Sequence, residues 1–314
     1  MSNILKVSAI VVTYNRLRLL KKNLKKLMSQ NYKIDKIYVF NNHSTDGTKQ
    51  FLSRFKNNKY VKPINSSKNL GGAGGFSNGL QIAYKDCDSD YFWLMDDDTL
   101  PLNNSLKKLI ESSKILKNDF GFLCSNVKWY KDKSTSMMNI PHPSQDWSEK
   151  IQNGLVQVNM ASFVSILIPR RVVTGIGFPI SDMFIWGDDV EYTTRITNLY
   201  KSYLASDSVV LHESSYNRKG ISHRKGHINS NVENVFNVPM NRLFYYKCKY
   251  RNWLYTSRKY YIYPKTIQLI LKDLFTLFRI PFNAEDHRLK RFWYTLSGII
   301  NGLFFNPKIK FPNK

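Results

Sequence analysis

Short apolar runs alternate with amphipathic segments from residue 4 to about residue 128. Val7-Ser8-Ala9-Ile10-Val11-Val12-Thr13 is a nearly continuous β-branched run, which is how a strand buried on both faces of a sheet reads. Leu17, Leu20, Leu24, Leu27 and Met28 recur at helical spacing and predict an amphipathic helix. Ile37-Tyr38-Val39-Phe40 predicts a second strand, Val61 to Ile64 a third and Tyr91 to Met95 a fourth. After the second strand, Asn41-Asn42-His43-Ser44-Thr45-Asp46-Gly47-Thr48 is a polar loop that opens a helix. Strand–helix alternation of this kind predicts an α/β fold with a doubly wound, mostly parallel sheet. Such sheets bind ligands beyond the carboxyl ends of their strands. Thr13-Tyr14-Asn15-Arg16 and the carboxylates that follow Met95 would then share one edge.

The second half reads differently. Gln157 to Pro169 is strand-like, and Trp186-Gly187-Asp188-Asp189-Val190-Glu191 begins a helix running to about Tyr200. Tyr203 to Asp207 and Val209 to Leu211 predict two short strands ending in His212. Tyr216 to Asn231 is polar, basic and without periodicity, so it reads as a loop. After Pro239 the chain becomes helical and rich in aromatic residues. The predicted division is a catalytic domain over residues 1–235 and a basic helical region over 236–314.

A chain of 314 residues with 42% hydrophobic and 14% aromatic residues buries a sizeable core, which excludes a disordered protein. No apolar run reaches the roughly 20 residues needed to cross a bilayer, and Met1 to Lys6 carries no signal-peptide pattern. Cys87, Cys124 and Cys248 are odd in number and widely spaced, as thiols of a reducing compartment are. These features predict a cytoplasmic protein. The net charge of +24 implies anionic partners. Residues 236–314 hold 15 Lys and Arg against Asp273, Glu285 and Asp286, a net +12, so half the excess sits in the last quarter of the chain.

Against that basic background stand Asp96, Asp97 and Asp98. Three carboxylates at the end of a buried strand repel one another, and a hard divalent cation with oxygen ligands supplies the missing counter-charge. An acidic turn closing the strand is the alternative, since Asp favours turns, but it leaves the charge unbalanced. Asn69-Leu70-Gly71-Gly72-Ala73-Gly74-Gly75-Phe76 follows a strand and opens a helix, where glycines let backbone amides approach a phosphate or sugar. It stands after the third strand, whereas a dinucleotide fingerprint belongs after the first. Asp188, Asp189 and Glu191 occupy a predicted first helical turn, where the helix dipole stabilises acids by roughly 0.3–1 kcal/mol. Crowded carboxylates also raise one another's pKa, as a general base requires. Spacing leaves cap and base both open. Trp186 and Gly187, just ahead, are the kind of pair that walls a sugar site. His212 is open between a structural and a metal-binding role.

In this order the segments resemble the bacterial family 2 glycosyltransferases of the glycosyltransferase-A fold, in particular their galactofuranosyl- and rhamnosyltransferase branch. The segments are Val11 to Arg16, Asn41 to Thr48, Asn69 to Phe76, Met95 to Asp98, Trp186 to Glu191 and His212, and the Tyr-rich approach to Arg251-Asn252 is similar to that branch as well. The resemblance implies that Thr13, Asn15 and Arg16 border the nucleotide, together with Asn69, Gly72, Gly74 and Gly75. Asn41 falls where most relatives carry an Asp that bonds the base, which leaves UDP and dTDP both open. The resemblance further implies Asp96, Asp98 and His212 as ligands of Mn²⁺ or Mg²⁺ and Asp97 as a donor contact. It makes Asp189 the general base, with Asp188 and Glu191 supporting the acceptor and Trp186 contacting it. The implied reaction is a displacement with inversion, moving galactofuranose or rhamnose from a nucleoside diphosphate to a hydroxyl of a lipid-linked or growing cell-surface polysaccharide.

In the basic region Ile267, Ile270, Leu271, Leu274, Leu277 and Phe278 line one predicted helix face, and Arg288 to Tyr294 sets basic beside aromatic residues. That combination suits a peripheral contact with an anionic membrane, at the inner face of the bacterial cytoplasmic membrane. Packing on the catalytic domain or in a homo-oligomer is the alternative. Two other functions share some features. A sugar nucleotidyltransferase carries its glycine-rich loop at the first strand, where Val12 to Arg16 has no glycine. A non-enzymatic binder of anionic polymers explains the charge and not Asp96 to Asp98; no nucleic-acid motif is visible, so no nucleic-acid partner is expected.

Overall fold

The computed structural model describes residues 4–134, 147–213, 234–261 and 263–312. The predicted loop over Tyr216 to Asn231 lies outside the described residues. The chain forms two compact units: Met1–Phe184 with Asp188–Glu213 and Lys308–Lys314, and Ile185–Gly187 with Ser214–Pro307.

The first unit is built on one sheet. Its strands are β1 (Val7–Thr13), β2 (Lys36–Asn41), β3 (Val61–Asn65), β4 (Tyr91–Asp96), β5 (Thr99–Pro101), β6 (Leu123–Trp129), β7 (Leu155–Gln157), β8 (Ile166–Pro169) and β9 (Tyr203–His212). They run in the order β3-β2-β1-β4-β8-β6-β9-β5, with β7 also on β9. β3-β2-β1-β4 is parallel, β8 pairs antiparallel with both β4 and β6, and β6 and β9 are again parallel. Strand order reverses beside β1: β2 and β3 build outward on one side and β4 on the other. The loops after β1 and β4 lie side by side at the carboxyl edge, where such sheets bind ligands.

Alternation explains why β1 reads as continuously apolar. Val7, Ala9 and Val11 point into a core beneath α1 (Leu17–Met28) and α4 (Ser105–Ile115). Ile10 and Val12 point to the opposite core beneath α3 (Gly71–Asp86), α5 (Arg170–Ile176) and α6 (Asp188–Thr197). A short helix, α2 (Thr48–Ser53), follows β2. Each fully buried Val, Ile, Leu or Phe contributes about 1.5–3 kcal/mol, so this two-faced burial fixes the strand that carries the edge loops.

Two expectations are corrected. Gln157 to Pro169 is not one strand: β7 and β8 flank a non-strand stretch in which the Phe163 carbonyl accepts the Asp96 amide at 3.1 Å. The two short strands over 203–211 are one strand, β9. Its pairing shifts from Ser125–Ala205 to Asn126–Val209, and Ser206 to Ser208 form the bulge that a sequence gap resembles. The segment Lys308–Lys314 returns to this unit, where the Lys310 carbonyl accepts the Phe178 amide at 2.8 Å.

The second unit is helical: α7 (Leu243–Tyr260), α8 (Tyr263–Asn283) and α9 (Arg288–Phe304). Its core holds Leu243, Tyr246, Tyr250, Leu254, Leu277, Ile280 and Ile299. The predicted apolar face of α8 is therefore split. Leu277 turns inward and Ile270 packs against the core, while Ile267, Leu271, Leu274 and Phe278 are exposed. Nor is Arg288 to Tyr294 a continuous basic surface. Arg291 is buried, bonding the Asp286 carboxylate and the Val235 carbonyl. No helix among the described residues is long and apolar enough to cross a membrane.

Candidate active site

β1 and β4 pair in parallel with Val12 opposite Asp96, so the loop after β1 lies beside the three aspartates. Thr13 Oγ1 donates to Asp97 Oδ2 at 2.7 Å. Arg16 Nη1 donates to Asp98 Oδ2 at 2.7 Å and, more weakly, to Asp97 Oδ1 at 3.4 Å. β5 runs antiparallel to β9 with Thr99 opposite His212, which brings the imidazole to the preceding residue. His212 Nε2 stands 3.1 Å from Asp98 Oδ1. Asp98 thus touches a guanidinium on one oxygen and an imidazole on the other.

The electrostatics separate the three carboxylates. Burial pushes Asp97 up to about 7, reinforced by the charge of Asp98 and opposed by Arg16 and Thr13. Burial also acts to raise Asp98, but its hydrogen bond to His212 and the charges of His212 and Arg16 outweigh it and hold it below the ordinary carboxylate range. Asp96 is pushed well above that range by burial and then by Asp98 and Asp97; Asp189 adds to the repulsion. The donor set fits a hard divalent cation: carboxylate oxygens from Asp96 and Asp98, an imidazole from His212, and a mutual repulsion of the carboxylates that a cation would relieve. Among the described residues no three such groups already converge as a metal cluster. His212 Nδ1 is buried without a hydrogen-bond partner among the described residues, so the outer contact that commonly orients a ligating imidazole is not made.

The loops are tied to one another by asparagines. Asn15, at φ 52°, accepts the Thr45 amide at 2.7 Å, and its own amide donates to Ser44 Oγ at 3.0 Å. Asn41 is buried and engaged at both ends: Nδ2 donates to Asn65 Oδ1 at 2.8 Å, and Oδ1 accepts the Ser44 amide at 3.0 Å. Asn69 Oδ1 accepts the Gly71 amide at 2.8 Å. Asn42 then binds the start of α3, donating to Asn69 Oδ1 and the Gly71 carbonyl at 2.9 Å and accepting the Leu70 amide at 2.7 Å. Asn42 was not among the predicted site residues, although it lies inside the polar loop that drew attention.

The glycines divide by what surrounds them. Gly71, also missed, has φ +71°, and a Cβ there would lie 2.0 Å from the Phe184 carbonyl oxygen. That carbonyl accepts the Ala73 amide at 3.0 Å and so satisfies one donor at the start of α3. A Cβ on Gly74 or Gly75 would meet Leu70 or Val12 at 2.5 Å, so the lack of a side chain at these two allows the close packing of α3. Gly72 alone of the predicted three has nothing within 4 Å of a Cβ. Phe184 itself holds φ 64°, for which the sequence offers no signal.

At the start of α6, Asp188 is buried, and burial followed by the charge of Asp189 raises its pKa well above the ordinary range. Asp189 is half-buried and caps locally, its Oδ1 accepting the Val190 amide at 2.8 Å. Glu191, expected to support the acceptor, faces the interior of the unit. It is fully buried and pairs with Arg195 at 2.9 Å, while Arg195 bonds the carbonyls of Ile176 and Phe178. Glu191 therefore positions α6. Trp186 belongs to the second unit, where its ring meets Tyr245 and Tyr246 edge-on at 5.5 and 5.2 Å. Asn252 on α7 donates to the Ile185 and Trp186 carbonyls at 3.1 and 2.8 Å, a structural reason for the Arg251-Asn252 pattern.

Residues 8–174 match the family described as glycosyl transferase family 2. That stretch holds the loops after β1, β2, β3 and β4, and ends before Asp188 and His212. Galactofuranosyltransferase GlfT1 of Mycolicibacterium smegmatis is 26% identical over 215 residues, covering 60% of this chain and 65% of its own length; the chain therefore spans just under two thirds of that relative. Staphylococcus aureus TarS 1–349, solved with UDP-GlcNAc, superposes with a TM-score of 0.56 at 15% identity, over 95% of this chain and 81% of that one. The mannosyltransferase PcManGT of Pyrobaculum calidifontis, solved with GDP-Man and Mn²⁺, gives 0.53 at 14% identity, over 96% of this chain and 74% of that one. These likenesses carry the glycosyltransferase-A fold, a mixed sheet between helices with further helices at its C-terminal end. By the match over residues 8–174, which is more than half of its length, the chain belongs to glycosyl transferase family 2.

Proposed function

We propose that the chain is an inverting, metal-dependent transferase moving galactofuranose, with rhamnose second, from a UDP or dTDP donor. The acceptor is a hydroxyl of a lipid-linked or growing cell-surface polysaccharide. One observation carries this reading: at the carboxyl edge of the sheet Asp98 is held by Arg16 at 2.7 Å and by His212 at 3.1 Å, directly beside Asp96, the arrangement a diphosphate-binding cation needs. The galactofuranosyltransferase relative supports the choice of sugar, and the nucleotide sugars and Mn²⁺ in the neighbours' crystals support the donor class and the metal.

In this reading Thr13 and Arg16 fix Asp97 and Asp98 and border the nucleotide, and the open side of Gly72 admits the donor. Asp189 accepts the acceptor's proton as the hydroxyl oxygen attacks the anomeric carbon from the face opposite the diphosphate, which inverts that centre. Asp188, whose pKa burial and the charge of Asp189 push well above the usual carboxylate range, supports the base from its buried site. Asp96, Asp98 and His212 would hold Mn²⁺ or Mg²⁺, whose charge would offset the negative charge of the leaving diphosphate. Residues 1–235 carry the chemistry and 236–314 the contact with the acceptor's carrier, at the inner face of the cytoplasmic membrane.

A panel of UDP- and dTDP-sugars, including UDP-galactofuranose and dTDP-rhamnose, tests this by the nucleoside diphosphate released with Mn²⁺ or Mg²⁺. The expected result is release of UDP from UDP-galactofuranose that depends on the cation and on an acceptor glycan. No release of nucleoside diphosphate from any donor, with pyrophosphate formed instead when the chain is given a nucleoside triphosphate and a sugar 1-phosphate, would identify a nucleotidyltransferase and overturn the proposal.

A further inference from the structure

α8 carries three separate faces. Thr266, Asp273, Leu277 and Ile280 point inward. Ile267, Leu271, Leu274, Phe275, Phe278 and Phe282 point outward, with exposures from 43% at Ile267 to 70% at Phe282. Their spacing of four, three, one, three and four residues keeps them on one side of the helix, over about 22 Å at 1.5 Å per residue. Lys265, Lys272 and Arg279 repeat every seventh residue and form a basic edge beside that stripe. The one acid of α8, Asp273, is on the buried face. An apolar stripe bordered by cations, on a helix unable to span a bilayer, is the pattern of an element lying in the plane of a membrane surface.

We infer that α8 is an in-plane docking helix for an anionic lipid surface, with Leu271, Phe275, Phe278 and Phe282 entering the headgroup boundary and Lys265, Lys272 and Arg279 meeting lipid phosphates. The inference deepens the membrane part of the proposed function and is independent of the sugar and the cation. It moves the contact from the Arg288 to Tyr294 run, whose Arg291 is committed internally, to the preceding helix. Charge selects the occupant. A second copy of this helix would set the same cationic edge against itself. The acids that the described part of this unit could offer in exchange are few, with Asp273 buried and Asp286 paired to Arg291.

The test is co-sedimentation of the full chain with vesicles of phosphatidylcholine alone and of phosphatidylcholine with phosphatidylglycerol. Wild type should bind the anionic vesicles. The triple variant F275Q/F278Q/F282Q should lose binding to both kinds. The triple variant K265Q/K272Q/R279Q should lose about a hundredfold on anionic vesicles only, at about fivefold per basic side chain. All six positions are on the outward or basic side of α8, so unchanged thermal melting serves as the folding control. Wild-type indifference to anionic vesicles, or phenylalanine variants that bind as wild type does, would overturn the assignment. So would a wild-type oligomer in analytical ultracentrifugation that the phenylalanine variant dissolves, which would make the stripe a subunit interface. Turnover of donor with a water-soluble acceptor should be unchanged in both variants. Its absence in wild type would count against the proposed reaction and leave the vesicle result standing.

Discussion

Asp188 and Asp189 are adjacent in sequence and opposite in circumstance. Burial and the neighbouring charge push the first well above the usual carboxylate range, while the second is half-buried and spends one oxygen on the Val190 amide. An Asn at position 189 keeps that capping oxygen and cannot take a proton. Asp189→Asn should therefore melt like wild type and bind donor with unchanged affinity by calorimetry, while transfer falls by about 10²–10⁴-fold. Substantial transfer by that variant would remove Asp189 from the chemistry. Glu191, two residues on, looks equally acidic in the sequence and does different work, because Arg195 one turn later claims it. The i,i+4 spacing was the available signal. Asn42 and Gly71 were harder to read, since what distinguishes them is the Phe184 carbonyl and the Asn69 side chain, contacts made only after folding.

At the scale of elements, the parallel half of the sheet was legible because each of its strands is a local apolar run with its own helix behind it. β8 was not, since Ile166 to Pro169 has the composition of a parallel strand and only its partners, β4 and β6, make it antiparallel. β9 was divided in two by Ser206 to Ser208, which are polar because a bulge turns them away from the regular pairing. α8 was recognised as amphipathic, but a single apolar face concealed two, one serving the core and one exposed. The start of α3 offers a direct comparison within one helix. Gly72→Ala should leave the melting temperature unchanged or raise it, because Ala favours a helix interior over Gly by about 1 kcal/mol and a Cβ there meets nothing. Gly71→Ala must adopt φ +71° and displace the Phe184 carbonyl, so it should cost well over ~1 kcal/mol in thermal melting. Equal melting of the two variants would refute this account of the loop.

At the scale of the molecule, the two units should respond differently to pH. Asp273, buried on α8, is pushed up to about 6 by its burial against the pull of Lys272 and Lys249, whereas an unfolded Asp titrates near 3.8. Between those values the folded chain holds a proton that the unfolded chain has released, so stability falls as pH rises through the window and levels off above it. Asp273→Asn does not titrate. Wild type should therefore lose ground against it, by about 3 kcal/mol at most, between roughly pH 4 and pH 7 when the melting of the helical unit is followed by calorimetry. A gap between the two proteins that stays constant with pH would show that Asp273 is not held neutral. The path of the chain has a consequence of another kind. The segment from Lys308 to Lys314 belongs to the sheet-bearing unit and supplies the carbonyl that the Phe178 amide needs, yet it follows every residue of the helical unit. On a translating ribosome the sheet-bearing unit must therefore wait for this last contact until the whole helical unit has emerged. Assembly of the sheet-bearing unit is then complete only after the helical unit has been made.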